Sequence, residues 1–499
     1  MGQAQFIKID ESDNIAVALC DLAAGECVQT GEESIFLQGA VPAAHKFSLR
    51  PLSQGQTVIK YGYPIGKTTQ EIPTGSWVHT HNLNTMLEGK IEYTYKQAGA
   101  KERGLPSDVP GTFMGYMRSD GSVGVRNEIW VIPTVACANS TALRIAQMAN
   151  AQFGGKCGGI FAFPHNAGCS QLGEDHITSQ EILAGLVNHP NASGVLLLSL
   201  GCENNNLNEF LPILGDYDTQ RIRTLIMQDV NDEYEKGISI LKELSDIAQD
   251  CQRQSVPASK LRLGFKCGGS DAFSGITANP LCGKVTDILT AFGGTGILTE
   301  VPEMFGAEEI LMSRADSKGT YEKVVEMINS FKQYFIDYGQ PIYENPSPGN
   351  RKGGITTNEE KSLGCVLKGG HAKVTDVLEM GQQVSCPGLN LMNGPGNDNV
   401  SITNFVSSGA QMILFTTGNG NPLGTAVPCI KISSNTALYK RKPKWIDFNA
   451  GELLDGVCME ELAKDLWRQV LNTASGMTQA KNEVYGQRDI MIFKNGVTL

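Results

Sequence analysis

Gly159-Ile-Phe-Ala-Phe-Pro-His165 followed by Gly168-Cys-Ser-Gln171, Gly194-Val-Leu-Leu-Leu-Ser-Leu200 followed by Gly201-Cys-Glu-Asn204, and Leu261-Arg-Leu-Gly-Phe265 followed by Lys266-Cys-Gly-Gly-Ser-Asp271 are three versions of one pattern. Each is a short apolar run that ends in a cysteine set among glycine and polar residues. Apolar runs this short, bounded by glycine, read as buried strands, and helical patterns between them make βα units with a mostly parallel sheet. The fold class is therefore α/β. In such sheets the ligand lies at the carboxyl ends of the strands, so Cys169, Cys202 and Cys267 are expected to point into one crevice.

Outward from this stretch, Glu128-Ile-Trp-Val-Ile-Pro-Thr-Val135 reads as another strand, with Asn139 or Ser140 as a cap for the helix after it. Thr178-Ser-Gln-Glu181 reads as a capping box ahead of Ile182, Leu183, Leu186 and Val187. Helical periods run from Thr320 to Tyr338, stopping at Gly339, and through Leu462, Leu466 and Val470 towards Gly476. Thr295–Glu300, Gln411–Thr416 and Val427–Ile432 are further strand candidates.

Residues 1–92 differ. Their runs, Asn14–Cys20, Ser34–Leu37 and Thr57–Tyr61, are short and punctuated by Gly and Pro, which predicts a small all-β domain. It closes on His79-Thr-His81-Asn82, where an extended chain would put both histidines on one face, as ligands, as acid/base groups or simply as a polar strand edge. Residues 93–121 are polar and rich in Gly and Pro and read as a linker. Residues 122–499 then form the α/β catalytic region, which can include a dimerisation subdomain.

Composition excludes several classes. A net charge of −11 and a pI of about 5.3 argue against nucleic acid as a partner. No apolar run reaches the ~18 residues of a membrane helix. The N-terminus lacks the apolar core of a signal peptide, and Phe6 stands where a myristoylation motif on Gly2 wants Ser or Thr. Thirteen cysteines, an odd number spread through a large chain, point to reduced thiols in the cytoplasm. No G-x-G-x-x-G or Walker A pattern supports a dinucleotide or ATP.

The candidate chemistry follows. Cys169, Cys202 and Cys267, with Glu203 and Asp271 beside them, suit either a divalent metal or an iron–sulfur cluster with an open site; the alternative is three small buried residues at crowded strand ends. His165 near Cys169 can help to form the site, whereas His176 reads as structural. Glu300 and Glu303 can bind metal or serve as acid and base once burial shifts them, and Glu308 reads as helix N-terminal decoration. The loop Asn345–Ser362 offers Asn350, Arg351, Thr356 and Lys361 for the carboxylate and hydroxyls of a polyhydroxylated acid, or is a flexible surface loop.

Taken together, His79-Thr-His-Asn82, Gly168-Cys-Ser-Gln171, Gly201-Cys-Glu-Asn204, Cys267-Gly-Gly-Ser-Asp271, Thr299-Glu-Val-Pro-Glu-Met-Phe-Gly306, Asn345-Pro-Ser-Pro-Gly-Asn350, Lys361-Ser-Leu-Gly-Cys365 and Phe493-Lys-Asn-Gly-Val-Thr-Leu499 resemble the altronate/galactarate dehydratase family over nearly the whole chain. The resemblance implies a β-clip (SAF-type) N-terminal domain joined to a Rossmann-like catalytic domain. It also implies dependence on Fe²⁺ or Mn²⁺ in hexuronate catabolism, and a hydro-lyase converting D-altronate to 2-dehydro-3-deoxy-D-gluconate and water. On that reading a base takes the proton next to the carboxylate and an acid protonates the departing hydroxyl, with His79, His81, His165 and Glu303 as catalytic candidates. Asn82, Asn350, Arg351, Thr356 and Lys361 would bind substrate, and Cys169, Cys202, Glu203, Cys267 and Asp271 the metal. The expected partner is a sugar acid, galactarate being the nearest rival, and the expected assembly a homodimer. A non-catalytic sugar-acid sensor is the alternative of another class.

Overall fold

In the computed structural model, residues 4–30, 33–95 and 108–499 are described. Gly2 and the middle of the expected linker, residues 96–107, lie outside them.

The α/β region is built on two parallel sheets. The first comprises β1 (Glu128–Pro133), β2 (Ile160–Ala162), β3 (Ala192–Ser199) and β4 (Ile222–Ile226), in the order β2-β1-β3-β4. The second comprises β5 (Arg262–Cys267), β6 (Thr295–Leu298), β7 (Val374–Leu378), β8 (Gly388–Met392), β9 (Met412–Thr417), β10 (Cys429–Ser433) and β11 (Phe448–Asn449), in the order β7-β8-β6-β5-β9-β10-β11. All their pairings are parallel. β3 and β9 are buried along their whole length, as apolar strands covered on both faces should be. The three cysteine-terminated runs are thus β2, β3 and β5, but they belong to two sheets rather than one. An antiparallel pairing of Thr112–Met117 with Gln254–Pro257 ties the start of the α/β region to the connection between the sheets, so the end of the expected linker is a strand.

Two helix starts differ from expectation. The helix over Gly173–Val187 begins five residues before the expected capping box, with Glu174 and Asp175 in its first turn, so Thr178 is interior. The helix Asn139–Phe153 has no side-chain cap, because Asn139 instead donates to His165 O (2.7 Å) and accepts from His165 N. The helix Lys318–Asp337 keeps its apolar face and ends before Gly339, whose φ of +63° suits glycine.

The N-terminal residues form an all-β unit. One antiparallel sheet joins Phe6–Ile7, Ile15–Ala18, Lys46–Ser48 and Trp77–Val78, and another joins Thr57–Lys60, Tyr63–Thr68 and Leu83–Asn84. Its core is continuous with that of the large region: Ile15, Val58, Ile65 and Val78 pack in one cluster with Val301, Phe305 and Leu363. The small domain therefore sits over the carboxyl ends of β5 and β6, where the site is found.

Candidate active site

β5 ends in Lys266-Cys267, and β6 is followed by Glu300 and Glu303. The helix Asn358–Val366 carries Lys361 and Cys365 at i and i+4, and Lys368 follows one turn later. These elements bring Cys267 Sγ to 3.3 Å from Cys365 Sγ, with Glu303 Oε2 3.3 Å from the first sulfur and 3.1 Å from the second. Their ligand atoms all lie within 4.8 Å of one another, and all three residues are buried. Two thiols and a carboxylate form a triad that can hold a divalent metal ion.

Three ammonium groups surround this triad. Lys368 Nζ lies 2.9 Å from Cys267 Sγ and 3.2 Å from Glu300 Oε2. Lys361 Nζ lies 2.9 Å from Glu303 Oε1, and Lys266 contacts Glu300 and, at 2.9 Å, Asp398. Asp398, its side chain 30% exposed, marks where the cluster reaches solvent. The two glutamates are driven apart. Burial pushes Glu303 up, but Lys361, Lys266 and Lys368 outweigh it and hold the carboxyl down at about 2. For Glu300 burial dominates and raises it, against Lys266 and Lys368. Glu300 also sits at a φ of +72°, a left-handed conformation uncommon for a non-glycine residue.

The small domain supplies the second half. Glu360 accepts from Lys46 and from Lys60, each at 2.8 Å, and from Thr356 N (2.8 Å). Lys46 also donates to Thr356 Oγ1, which lies 2.9 Å from His79 Nδ1. Burial, then the charge of Lys46 and proximity to His45, lower His79 to about 4, so its ring is neutral near neutral pH. Between the two halves lies a cavity of about 10 Å³ bordered by Lys60, Tyr61, Asp271, Glu360, Lys361 and Cys365, room for about one water.

Of the expected residues, Glu300, Glu303, Cys267, Lys361, Thr356 and His79 come together here, and Asp271 borders the cavity between the two halves. The others do not. His79 and His81 do not share a strand face: the strand stops at Val78, His79 is buried and His81 is exposed in a turn. Asn82 spends its amide inside that turn, accepting from His79 N and donating to Trp77 O. His165 lies beside the other sheet with both ring nitrogens on backbone groups, Nε2 to Pro133 O (2.7 Å) and Nδ1 to Ala167 N (3.1 Å). Glu203 is locked by Thr134, Ser199 and the backbone of Leu200 and Gly201. Asp271 is bonded by Ser274, Ser434 and Asn435 and lies outside the thiol triad. Asn350 caps its own short helix and donates to Ser270 O (2.8 Å), while Arg351 is exposed. Cys169 and Cys202 are exposed at the ends of the smaller sheet, and neither is grouped with Cys267 among the described residues. The stretch 345–362 is not a flexible surface loop: its second half is buried helix.

Cys365, Lys368, Lys266, Lys46, Lys60 and Glu360 were not anticipated. Lys361 and Cys365 at helical spacing, with Lys368 a turn beyond, were the available signal, hidden by the polar composition around them.

Two parallel sheets, with buried thiols, carboxylates and ammonium groups at the carboxyl ends of the larger one and a small β domain over them, define a two-part α/β protein. The chain belongs to the D-galactarate/altronate dehydratase family. Residues 4–86 match the altronate/galactarate dehydratase SAF domain, 115–249 the D-galactarate dehydratase/altronate hydrolase second domain, and 258–498 the D-galactarate/altronate dehydratase C-terminal domain. It is 46% identical to altronate dehydratase of Escherichia coli (strain K12), over 99% of this chain and 100% of that protein. It is 44% identical to altronate dehydratase of Bacillus subtilis (strain 168), over 99% of each. Identity to galactarate dehydratase (L-threo-forming) of Escherichia coli (strain K12) is 31%, over 97% and 95%.

Proposed function

We propose that this chain is a hydro-lyase that converts D-altronate to 2-dehydro-3-deoxy-D-gluconate and water. The observation that carries this reading is its end-to-end identity of 44–46% with two altronate dehydratases, against 31% with the galactarate enzyme. The reading treats the larger sheet as Rossmann-like, with substrate at its strand ends.

The reaction removes the C2 proton and the C3 hydroxyl, giving an enol that tautomerises to the ketone. His79 serves as the base. With its proton on Nδ1, Thr356 Oγ1 accepts from both His79 and Lys46, and Nε2 keeps a free lone pair. Glu300, raised by burial, delivers the proton that the departing hydroxyl takes, while Glu303, held down by its three lysines, stays ionised as a ligand. Lys361 and Lys266 attract the substrate carboxylate. Cys267, Cys365 and Glu303 would hold Fe²⁺, which thiolates favour over Mn²⁺. Such an ion supplies a Lewis acid for the charge that builds up next to the carboxylate. A six-carbon acid does not fit a 10 Å³ cavity, so the small domain shifts to admit it. The protein works in the cytoplasm as a homodimer, which sedimentation at micromolar concentration checks. No helix among the described residues is long and apolar enough to cross a membrane.

The test is an anaerobic assay with D-altronate and D-galactarate, with and without a chelator and added Fe²⁺ or Mn²⁺, detecting the 2-keto-3-deoxy product. Turnover of altronate, abolished by chelation and restored best by Fe²⁺, is expected. Turnover of galactarate alone transfers the site to that substrate, and turnover of neither removes the reading.

A further inference from the structure

Cys137, Cys169 and Cys202 lie outside the cleft described above, and all three are exposed. Free cysteine is among the most often buried residue types, so three exposed ones at matching positions require a reason. β2, β1 and β3 are consecutive neighbours in the smaller sheet, and each is followed at its carboxyl end by one of these residues. Cys169 follows β2, Cys137 lies in the single turn Ala136–Ala138 after β1, and Cys202 follows β3.

The three loops are tied to one another. Ala136 N donates to Ala167 O (2.9 Å), Asn205 N to Gly168 O (3.0 Å), and Ser170 N to Asn204 Oδ1 (2.9 Å). At Gly168 the backbone runs so close to Thr134 that a Cβ would lie 2.0 Å from its carbonyl oxygen, and its φ of +101° suits only glycine. Ser170, beside Cys169, holds a φ of +60°. The chain accepts strain to keep these loops together. Strand ends about 4.8 Å apart set the three cysteine-bearing loops side by side.

That spacing decides the ligand. Among the described residues only Cys267, Glu303 and Cys365 bring three ligand atoms within 4.8 Å of one another. Metal–sulfur bonds of about 2.3 Å hold two sulfurs on one ion within about 4.6 Å, so the surface trio is too open for a single ion. A polynuclear cluster spreads its thiolates around a larger body. We propose that Cys137, Cys169 and Cys202 hold a [4Fe–4S] cluster whose fourth iron has no protein thiolate. The cleft beside Cys202, about 490 Å³ and bordered also by Gln171, His176, Asn204 and Asn206, has room for a small oxygen ligand on that iron. His176 Nδ1, buried there, has no hydrogen-bond partner among the described residues.

The experiment is anaerobic reconstitution of the full chain with Fe³⁺, a thiol reductant that brings part of it to Fe²⁺, and inorganic sulfide. Iron, acid-labile sulfide and visible thiolate-to-iron absorption are then measured, with electron paramagnetic resonance after dithionite. About four irons and four sulfides per chain are expected, and Cys137→Ser, Cys169→Ser and Cys202→Ser should each lose the sulfide and the absorption. Cys267→Ser and Cys365→Ser should keep both. Maleimide labelling of the wild-type chain gives a second readout free of folding effects: Cys137, Cys169 and Cys202 should be protected in the loaded protein and reactive in the apo form, while Cys20, Cys27 and Cys458, also exposed, label in both. Iron without labile sulfide, a cluster that survives all three surface substitutions, or equal labelling of both forms overturns the proposal. These results are independent of the altronate assay, so either reading can fail alone.

Discussion

His79 and His165 are both buried, and burial lowers each to about 4, yet their partners differ. His165 has no free nitrogen, whereas His79 faces the hydroxyl of Thr356 across the domain boundary. His79→Asn should therefore lower kcat for altronate by about 100-fold with little change in melting temperature. His165→Asn should instead cost about 1–3 kcal/mol of stability by orphaning Pro133 O and Ala167 N, with a much smaller effect on kcat. Steady-state kinetics and thermal melts on the two variants check the contrast; equal kinetic losses would remove His79 from the mechanism. Cys365→Ser should cut turnover by about 10–100-fold and weaken iron retention, because Cys267 and Glu303 alone leave the triad incomplete. Reading from sequence reached Glu303 and Cys267, since a strand end announces itself by the apolar run before it. It missed Cys365, because the helical spacing of Lys361, Cys365 and Lys368 lies in a stretch whose polar composition reads as surface.

The helix Asn358–Val366 shows why the element scale was harder to read. All nine of its residues are buried, although Asn358, Glu359, Glu360, Lys361 and Ser362 are polar or charged. An isolated sequence with that composition reads as surface, because burying such groups is costly unless each is paired. Here most pairs lie hundreds of residues away: Glu359 with Thr85 and Met86 N, Glu360 with Lys46 and Lys60. Only tertiary structure supplies them. The β domain and the parallel strands were legible because apolar periodicity is local, but the division into two sheets was not, since nothing in a strand's own residues names its neighbour. Glu360→Gln should destabilise the fold by about 3–5 kcal/mol, because it strands two buried ammonium groups. The same contact sets an acid limit. Burial pushes Glu360 up, but Lys46 and Lys60 outweigh it and hold it at about 2, below the ~4.3 of an unfolded glutamate. Its contribution, about 3 kcal/mol, is therefore complete above about pH 4.3 and lost as pH falls through about 2. Urea midpoints measured between pH 6 and pH 2 should fall over that window in the wild type and much less in Glu360→Gln.

Across the whole molecule, the small domain and the larger sheet share one apolar cluster and one charge triad, so they should unfold together. Calorimetry at neutral pH is expected to show the N-terminal domain melting with the larger-sheet region, and Glu360→Gln to separate them. The boundary has a further consequence. Lys46, Lys60 and Glu360 specify the contact through side chains on either side of it, so peptide continuity contributes only a high effective concentration of one part for the other. Two co-expressed polypeptides, residues 1–95 and 108–499, should then find each other, co-purify and restore turnover in trans, and Glu360→Gln in the longer one should abolish the pairing. The catalytic cleft would behave as a heterodimer interface written into a single gene.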